Sequence, residues 1–189
     1  MRKKGNWTVA SSSVIYENQW ISVVQDDVIR PDGKDGIFSV VNMRPGASVL
    51  PIDAEGNVYL TREYKYAIEA DSIEVISGGK NENETYEETA ARELREETGI
   101  TAGRIVPLGF INPFTTAVNS PNYMFLALDL KLGEASPDAT EILHILKTPF
   151  LQAFEWANDG TITHGASVVL ILKAKAVYEE LFAYRHSTF

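Results

Sequence analysis

Short runs of apolar residues, interrupted by polar and turn-forming residues, follow one another along the first 70 positions of the chain. The runs are rich in β-branched and aromatic side chains, which favour strands, and residues 31–36 carry Pro, Asp and Gly turn signals. Residues 53–57 predict a hairpin-like loop between the fourth and fifth runs. The five predicted strands are SVIYEN, WISVVQDDVIR, IFSVVNM, ASVLPID and NVYLTREYKY.

Three later segments have the spacing of apolar residues that is typical of helices. Thr85 and Glu88 have the spacing of a capping box, in which each side chain accepts from the other residue's backbone N–H. Gly99 is a natural residue to end that helix. The predicted helices are residues 85–98, about 150–158 and about 166–184.

Four more strands are predicted, one before the first helix and three between the first and second helices. The first of these strands is expected to end at Gly78 and Gly79. The order of strands, helix, strands and two helices predicts an α+β sandwich. We place the domain boundary near Pro45, with a small β segment at 1–45 and the main domain at 46–189. The four later strands are DSIEVI, RIVPLGFI, YMFLALDLKL and EILHILKT.

Composition narrows the possible functions of this 189-residue chain. It has no cysteine, which rules out disulfides, thiolate metal sites and cysteine nucleophiles. Its formal net charge of −9 argues against nucleic-acid binding. We find no apolar run long enough for a transmembrane helix and no signal peptide, so we expect a cytoplasmic protein without a membrane partner. The P-loop and Gly-x-Ser-x-Gly motifs are absent from the sequence.

The negative charge is concentrated in residues 82–97, which hold seven acids and two arginines. A helix turns by about 100° per residue, so Glu93, Glu96 and Glu97 share an arc of roughly 100° beside an apolar sector. Arg92 is four residues from both Glu88 and Glu96, a spacing suited to ion pairs. Clustered carboxylates without soft ligands suit a hard divalent cation, Mg²⁺ or Mn²⁺.

The segment before this helix supports the same interpretation. Ser77, Gly78 and Gly79 leave a strand and lead into a polar loop. Glycine permits tight turns and a close approach of the backbone. The carbonyl of Ser77 could therefore serve as one more oxygen ligand. The three histidines, in contrast, show no metal-ligand spacing; they are His144, His164 and His186.

The stretch GGKNENETYEETAARELREETGI, from Gly78 to Ile100, resembles the Nudix box, G-x5-E-x7-R-E-U-x-E-E-x-G-U with U aliphatic. Every specified position is filled. Weaker likeness to the ADP-ribose pyrophosphatase-type branch extends over most of the chain, including the C-terminal DGTITHGASVVLILKA. This resemblance implies a Nudix α/β/α sandwich with a small N-terminal β subdomain.

The resemblance also implies roles for individual residues. Metal ligands would be Glu93, Glu97, Glu96 and the Ser77 carbonyl, with Glu96 alternatively acting as the base. Arg92 and Glu84 would orient the helix and the loop. Lys65 sits where the branch often has an arginine that grips the diphosphate, and it would act as a point charge. Trp20 and Tyr64 are candidates to stack on a nucleobase across a dimer.

The catalytic base of this branch is often a glutamate on a loop before a late strand. Alignment back from DGTITHGASVV places Glu141 at that position. Glu96, Glu134 and Asp138 remain alternatives for the base. A base would have to reach the attacking water.

The resemblance implies an Mg²⁺-dependent homodimeric hydrolase that cleaves a nucleoside diphosphate derivative, such as ADP-ribose or another nucleotide sugar. Mn²⁺ could replace Mg²⁺. Loop INPFTTAVNSPNY lacks the Ser-Pro-Gly-like turn that is frequent in enzymes acting on ADP-ribose, so the substrate stays open. The alternatives are a nucleoside triphosphate pyrophosphatase and a non-catalytic sensor of a nucleotide metabolite.

Overall fold

The computed structural model describes residues 1–136 and 142–182, and within them it forms twelve strands, three α-helices and one short 3-10 helix at Tyr66–Ile68. The strands are β1 (Arg2–Lys4), β2 (Trp7–Glu17), β3 (Ile21–Ile29), β4 (Asp35–Met43), β5 (Gly46–Pro51), β6 (Asn57–Lys65), β7 (Ala70–Glu74), β8 (Ile76–Gly79), β9 (Thr101–Ile111), β10 (Val118–Asn119), β11 (Asn122–Lys131) and β12 (Leu143–Pro149). The helices are α1 (Tyr86–Thr98), α2 (Phe150–Asp159) and α3 (Gly165–Phe182). These bounds agree with the three predicted helices, except that residues 183 and 184 lie outside the described part.

The chain divides into two units, and the first comprises residues 1–45 and 112–121. Its five-stranded sheet has the order β1-β2-β3-β4-β10. The long strands β2, β3 and β4 are antiparallel, whereas β10 pairs in parallel with β4. Segment 112–121, part of the predicted main domain, is grouped with the first unit because β10 pairs with β4.

The second unit comprises residues 46–111 and 122 onward. It holds a four-stranded sheet, β8-β5-β11-β9, and a three-stranded sheet, β12-β6-β7. Successive residues of a strand point to opposite faces, and here both faces are buried. Val49 and Phe125 pack with α1, while Leu50 and Leu126 pack on the other side with α2 and α3. This arrangement gives three layers, helix, sheet and helices.

The prediction of a single strand over DSIEVI that ends at Gly78 and Gly79 is wrong in two respects, and both affect residues near the candidate site. The strand is interrupted at Val75, where the chain passes from the three-stranded to the four-stranded sheet. It also continues through Gly78 and Gly79, which pair with Ala47 and Gly46 of β5. The glycine at position 46 of β5 permits this close pairing, since a Cβ on Gly46 would lie 2.8 Å from the Gly78 carbonyl oxygen. Gly78 and Gly79 therefore continue the strand that they were expected to end.

Both ends of α1 are as predicted. The Thr85 hydroxyl accepts from the Glu88 N–H at 3.1 Å, and the Glu88 carboxylate accepts from the Thr85 N–H at 2.7 Å. At the other end Gly99 has φ 71°, in the left-handed region that favours glycine. Leu94 and Ala90 are fully buried against the four-stranded sheet. Local signals therefore fix where this helix lies along the chain.

The helices of the described residues are all too short or too polar to cross a lipid bilayer.

Candidate active site

Arg92 is the centre of a group of carboxylates along the edge of α1. Its Nη1 donates to Glu93 Oε1 at 2.7 Å and to Glu96 Oε2 at 3.0 Å. Nε and Nη2 donate to the two carboxylate oxygens of Glu84 at 2.8 and 3.2 Å. Nη2 also donates to the Gly79 carbonyl at 3.0 Å. One guanidinium thus ties the loop to the helix and orients two of the predicted metal ligands.

The predicted pair of Arg92 with Glu96 is present, whereas the one with Glu88 is not. Glu88 is the third residue of the helix, and its carboxylate turns back to the Thr85 N–H and hydroxyl. Glu84, which precedes the helix, occupies the Arg92 fork instead. A planar guanidinium binds a carboxylate through two parallel hydrogen bonds, and Glu84 is placed to accept both.

Glu84 is held as a carboxylate by its surroundings. The hydrogen bond from Arg92 is the main cause that lowers the pKa of Glu84 to about 2 from its ordinary value of 4.5, and the hydrogen bonds from Asn81 and Thr89 act in the same direction. Burial opposes this shift. Since the folded state lowers the pKa, Glu84 stabilises it fully above about pH 4.5 and progressively less as the pH falls towards 2.

We therefore expect Glu84→Gln to lower the free energy of unfolding most at neutral pH. The difference from wild type should shrink below about pH 4.5, because Glu84 of the unfolded wild type then takes up a proton while the folded carboxylate, with its pKa of about 2, does not. Urea titrations at pH 7, 4.5 and 3 measure it. Glu82→Gln, at an exposed position of the same loop, is the control. A wild-type advantage that stays constant from pH 7 to pH 3 would contradict the assignment.

Glu93 lies directly against the backbone of Gly78. A Cβ added to Gly78 would overlap the Glu93 carboxylate, so only glycine leaves room for it there. Gly78 follows Ser77, whose carbonyl we predicted as a ligand, and both residues pair with β5. Strand β8 and helix α1 therefore bring the Glu93 carboxylate against Gly78, the residue that follows the predicted backbone ligand.

Glu97 and Lys65 belong to the same region. Glu97 is buried, with 8% of its surface exposed. Lys65 Nζ lies 2.6 Å from Glu63 Oε2 and 3.7 Å from Glu74 Oε2. Burial alone would lower the pKa of Lys65, but the hydrogen bond to Glu63 and the charges of Glu74, Glu63 and Glu97 outweigh it and raise the pKa. Lys65 is thus a charged ammonium, and the negative charge of Glu97 is one of the causes that raise its pKa.

The donor chemistry of this edge fits a hard divalent cation. Within the two described ranges, no three histidine or acidic side chains converge into a metal-binding group. Glu93 and Glu96 point to Arg92 instead, which offsets their mutual repulsion. The available donors are carboxylate and carbonyl oxygens, the ligand set of Mg²⁺ and Mn²⁺, and the missing Cβ of Gly78 leaves room for the Glu93 carboxylate.

The other predicted site residues have different outcomes. Trp20 lies in the first unit and is 66% exposed. Tyr64 is exposed and adjoins Lys65 in β6, so the two side chains point to opposite faces of the strand. Glu134 is exposed, and its loop lies against the end of α1, where the Ser136 N–H donates to the Glu96 carbonyl at 2.8 Å. Glu141 and Asp138 lie outside the described residues.

Sequence reasoning missed a polar cluster next to Lys65. Glu74 Oε2 lies 3.4 Å from His164 Nδ1, and this nitrogen lies 2.8 Å from Ser167 Oγ. Ser167 is fully buried and accepts from the Val75 N–H at 2.9 Å. In the sequence the histidines enter only as possible metal ligands. No short-range spacing could reveal this cluster, because its ends are separated by 92 positions.

Two family models match the chain. The NUDIX domain model covers residues 42–160, which is more than half of the chain. The model of the nucleoside diphosphate sugar hydrolase N-terminal domain covers residues 7–41.

Characterised proteins with similar sequences include hydrolases of nucleotide compounds. An ADP-ribose pyrophosphatase of Bacillus subtilis (strain 168) is 27% identical over 127 residues, 67% of this chain and 69% of that protein. A CMP-5'-(N-acetyl-N-hydroxy-3-aminopropyl)phosphonate hydrolase of Streptomyces rubellomurinus is 25% identical over 167 residues, 87% and 81% of the two chains. A methanol dehydrogenase activator of Bacillus methanolicus is 22% identical over 162 residues, 83% and 86% of the two chains.

A solved structure also resembles this one. A crystal structure of an ADP compounds hydrolase superposes with a TM-score of 0.79 at 19% sequence identity, covering 98% of this chain and 99% of that one. This match confirms the predicted α+β sandwich.

Proposed function

Because the chain belongs to the Nudix family of hydrolases, we propose that it hydrolyses the diphosphate bond of a nucleoside diphosphate derivative, with ADP-ribose or another nucleotide sugar as the substrate. The products are a nucleoside monophosphate and a sugar phosphate. The observation that carries the proposal is the Arg92-centred group of carboxylates beside Gly78, within a complete Nudix box. The family predicted from that motif is confirmed.

We propose Mg²⁺ as the cofactor, held by Glu93, Glu97, Glu96 and the Ser77 carbonyl. When bound, the cation supplies Lewis-acid polarisation of the diphosphate oxygens. Arg92 holds the carboxylates of Glu93 and Glu96 oriented towards the same edge. Mn²⁺ replaces Mg²⁺ because it prefers the same oxygen donors.

The chain's own residues supply the rest of the reaction. Lys65 contacts the diphosphate as a point charge and offsets part of its negative charge. A carboxylate takes a proton from water as the water oxygen bonds to phosphorus. The bridging P–O bond breaks, and its electron pair leaves with the departing phosphate. Glu96, Glu134, Asp138 and Glu141 are the candidate bases, of which Glu96 and Glu134 lie in the described residues.

A substrate panel with product identification tests this function. Purified protein is incubated with Mg²⁺ and ADP-ribose, GDP-mannose or each dNTP, and the products are separated by chromatography. We expect AMP and ribose 5-phosphate from ADP-ribose, or the equivalent pair from another nucleotide sugar. Preferential cleavage of dNTPs would instead favour a triphosphate pyrophosphatase. Tight binding without turnover of any nucleotide would favour a sensor and refute the hydrolase.

We also propose that the enzyme is a homodimer in which Trp20 and Tyr64 stack on the nucleobase. Support comes from exposed apolar side chains of the first unit, since a large exposed apolar surface is typical of interfaces. Light scattering of the purified protein measures the mass in solution, and a monomer would refute the dimer. The exposed apolar side chains of the first unit are Met1, Val14, Ile15, Tyr16, Trp20, Ile37, Phe38, Met43 and Phe114.

A further inference from the structure

His164 precedes α3 and connects that helix to the strand that carries Glu74. Its carbonyl accepts from the Val168 N–H at 3.0 Å, which fixes the residue at the start of the helix. Its Nδ1 lies 2.8 Å from Ser167 Oγ and 3.4 Å from Glu74 Oε2. The imidazole thus uses the same nitrogen towards a buried hydroxyl and a nearly buried carboxylate.

Ser167 anchors this contact to the backbone near the proposed metal site. The Val75 N–H lies where the chain passes between two sheets, and Ser167 Oγ accepts from it at 2.9 Å. Val75 comes two positions before Ser77. The start of α3 is therefore attached to the segment that presents the Ser77 carbonyl, and His164 has little freedom to move relative to that segment.

Glu74 lies between His164 and Lys65, because one of its carboxylate oxygens is near both side chains. Its side chain is only 12% exposed, and its Oε2 lies 3.4 Å from His164 Nδ1 and 3.7 Å from Lys65 Nζ. Glu63 contacts Lys65 from the same strand at 2.6 Å. Of the two carboxylates beside the ammonium, Glu74 is the one that also lies next to His164, a residue from outside strands β6 and β7.

We infer that His164 is a positioning residue that acts through Glu74 to hold Lys65 where it contacts the diphosphate. The inference rests on the proposed function, which gives Lys65 that contact. A lysine side chain has many rotamers, so holding its carboxylate partner in place reduces the ordering that substrate binding must otherwise provide. Lys65 contacts the diphosphate before and during the reaction, so the effect falls on KM more than on kcat.

Substitutions that place a side-chain amide at the position of one or the other imidazole nitrogen test this role. The amide of asparagine overlaps the position of Nδ1, and that of glutamine overlaps Nε2. Because the contacts use Nδ1, we expect His164→Asn to keep wild-type kinetics. His164→Gln and His164→Ala should raise KM for ADP-ribose about tenfold, with kcat changed less than about twofold. His144→Ala, at an exposed histidine on β12, is the matched control.

A readout without turnover separates this inference from the proposed function. The Lys65 ammonium signal in a ¹⁵N NMR spectrum should move in His164→Gln and His164→Ala but stay in place in His164→Asn and His144→Ala. The same pattern in a protein that hydrolyses no nucleotide would refute the function and keep the positioning role. Unchanged KM and an unchanged Lys65 signal in a folded His164→Gln would overturn the positioning role. Equal losses in the asparagine and glutamine variants would also overturn it.

Discussion

Glu97→Gln is expected to lower kcat/KM by about 10³-fold while the protein stays folded. Glutamine keeps the size of this buried side chain and removes the charge of a proposed metal ligand. A catalytic cation contributes several kcal/mol to the stabilisation of the transition state, and about 4 kcal/mol corresponds to this factor. Initial rates with saturating Mg²⁺ measure the loss, and circular dichroism checks the fold.

Glu87→Gln is the matched control for this substitution. Glu87 lies in the first turn of the same helix, is exposed, and takes no part in the capping box. Glu87→Gln removes one negative charge, as Glu97→Gln does, but at a position outside the proposed metal ligands. The rate of this variant should therefore stay near that of the wild type. If both variants lost activity equally, the general negative charge of α1 would explain the effect, and the specific role of Glu97 would be refuted.

Gly78→Ala is the second substitution with a large expected effect. The added Cβ would overlap the Glu93 carboxylate, which is the flexible end of a side chain and can move aside. We therefore expect the fold to survive and Glu93 to leave its place against the backbone of residue 78. Displacing a proposed metal ligand should lower kcat/KM by about 10²-fold and weaken Mn²⁺ binding.

Thermal unfolding and Mn²⁺ titration of the purified variant distinguish a displaced ligand from a damaged fold. Gly165→Ala adds the same methyl group where there is no neighbour within 4 Å, and it should leave activity and stability nearly unchanged. Wild-type activity and Mn²⁺ affinity in Gly78→Ala would show that the position of Glu93 against the backbone has no role in the site.

Features that depend on neighbours in sequence could be predicted. Helix α1, its capping box and its glycine end follow from residues within a few positions of one another, and all three are present. The proximity of Glu96 to Arg92, four residues apart, also follows from helical spacing. The Nudix box itself is one continuous segment, so its family could be identified from the sequence.

Features that depend on distant pairing could not be predicted. The break at Val75 arises because its two sides join different sheets, and Ser167 completes its hydrogen bonding from 92 positions away. The Arg92 partner Glu84 is not on the helix at all, so helical spacing pointed to Glu88 instead. The contact of His164 with Glu74 likewise requires α3 to pack beside β7, which no local pattern indicates.

The anomalous scattering of Mn²⁺ in crystals grown with an uncleavable ADP-ribose analogue locates the proposed metal and the diphosphate in a single experiment. We expect an anomalous peak among the carboxylates of Glu93 and Glu97 and the carbonyl of Ser77, with the diphosphate of the analogue next to it. An analogue bound with its diphosphate elsewhere, or an edge of α1 without Mn²⁺ at saturating concentrations, would contradict this expectation.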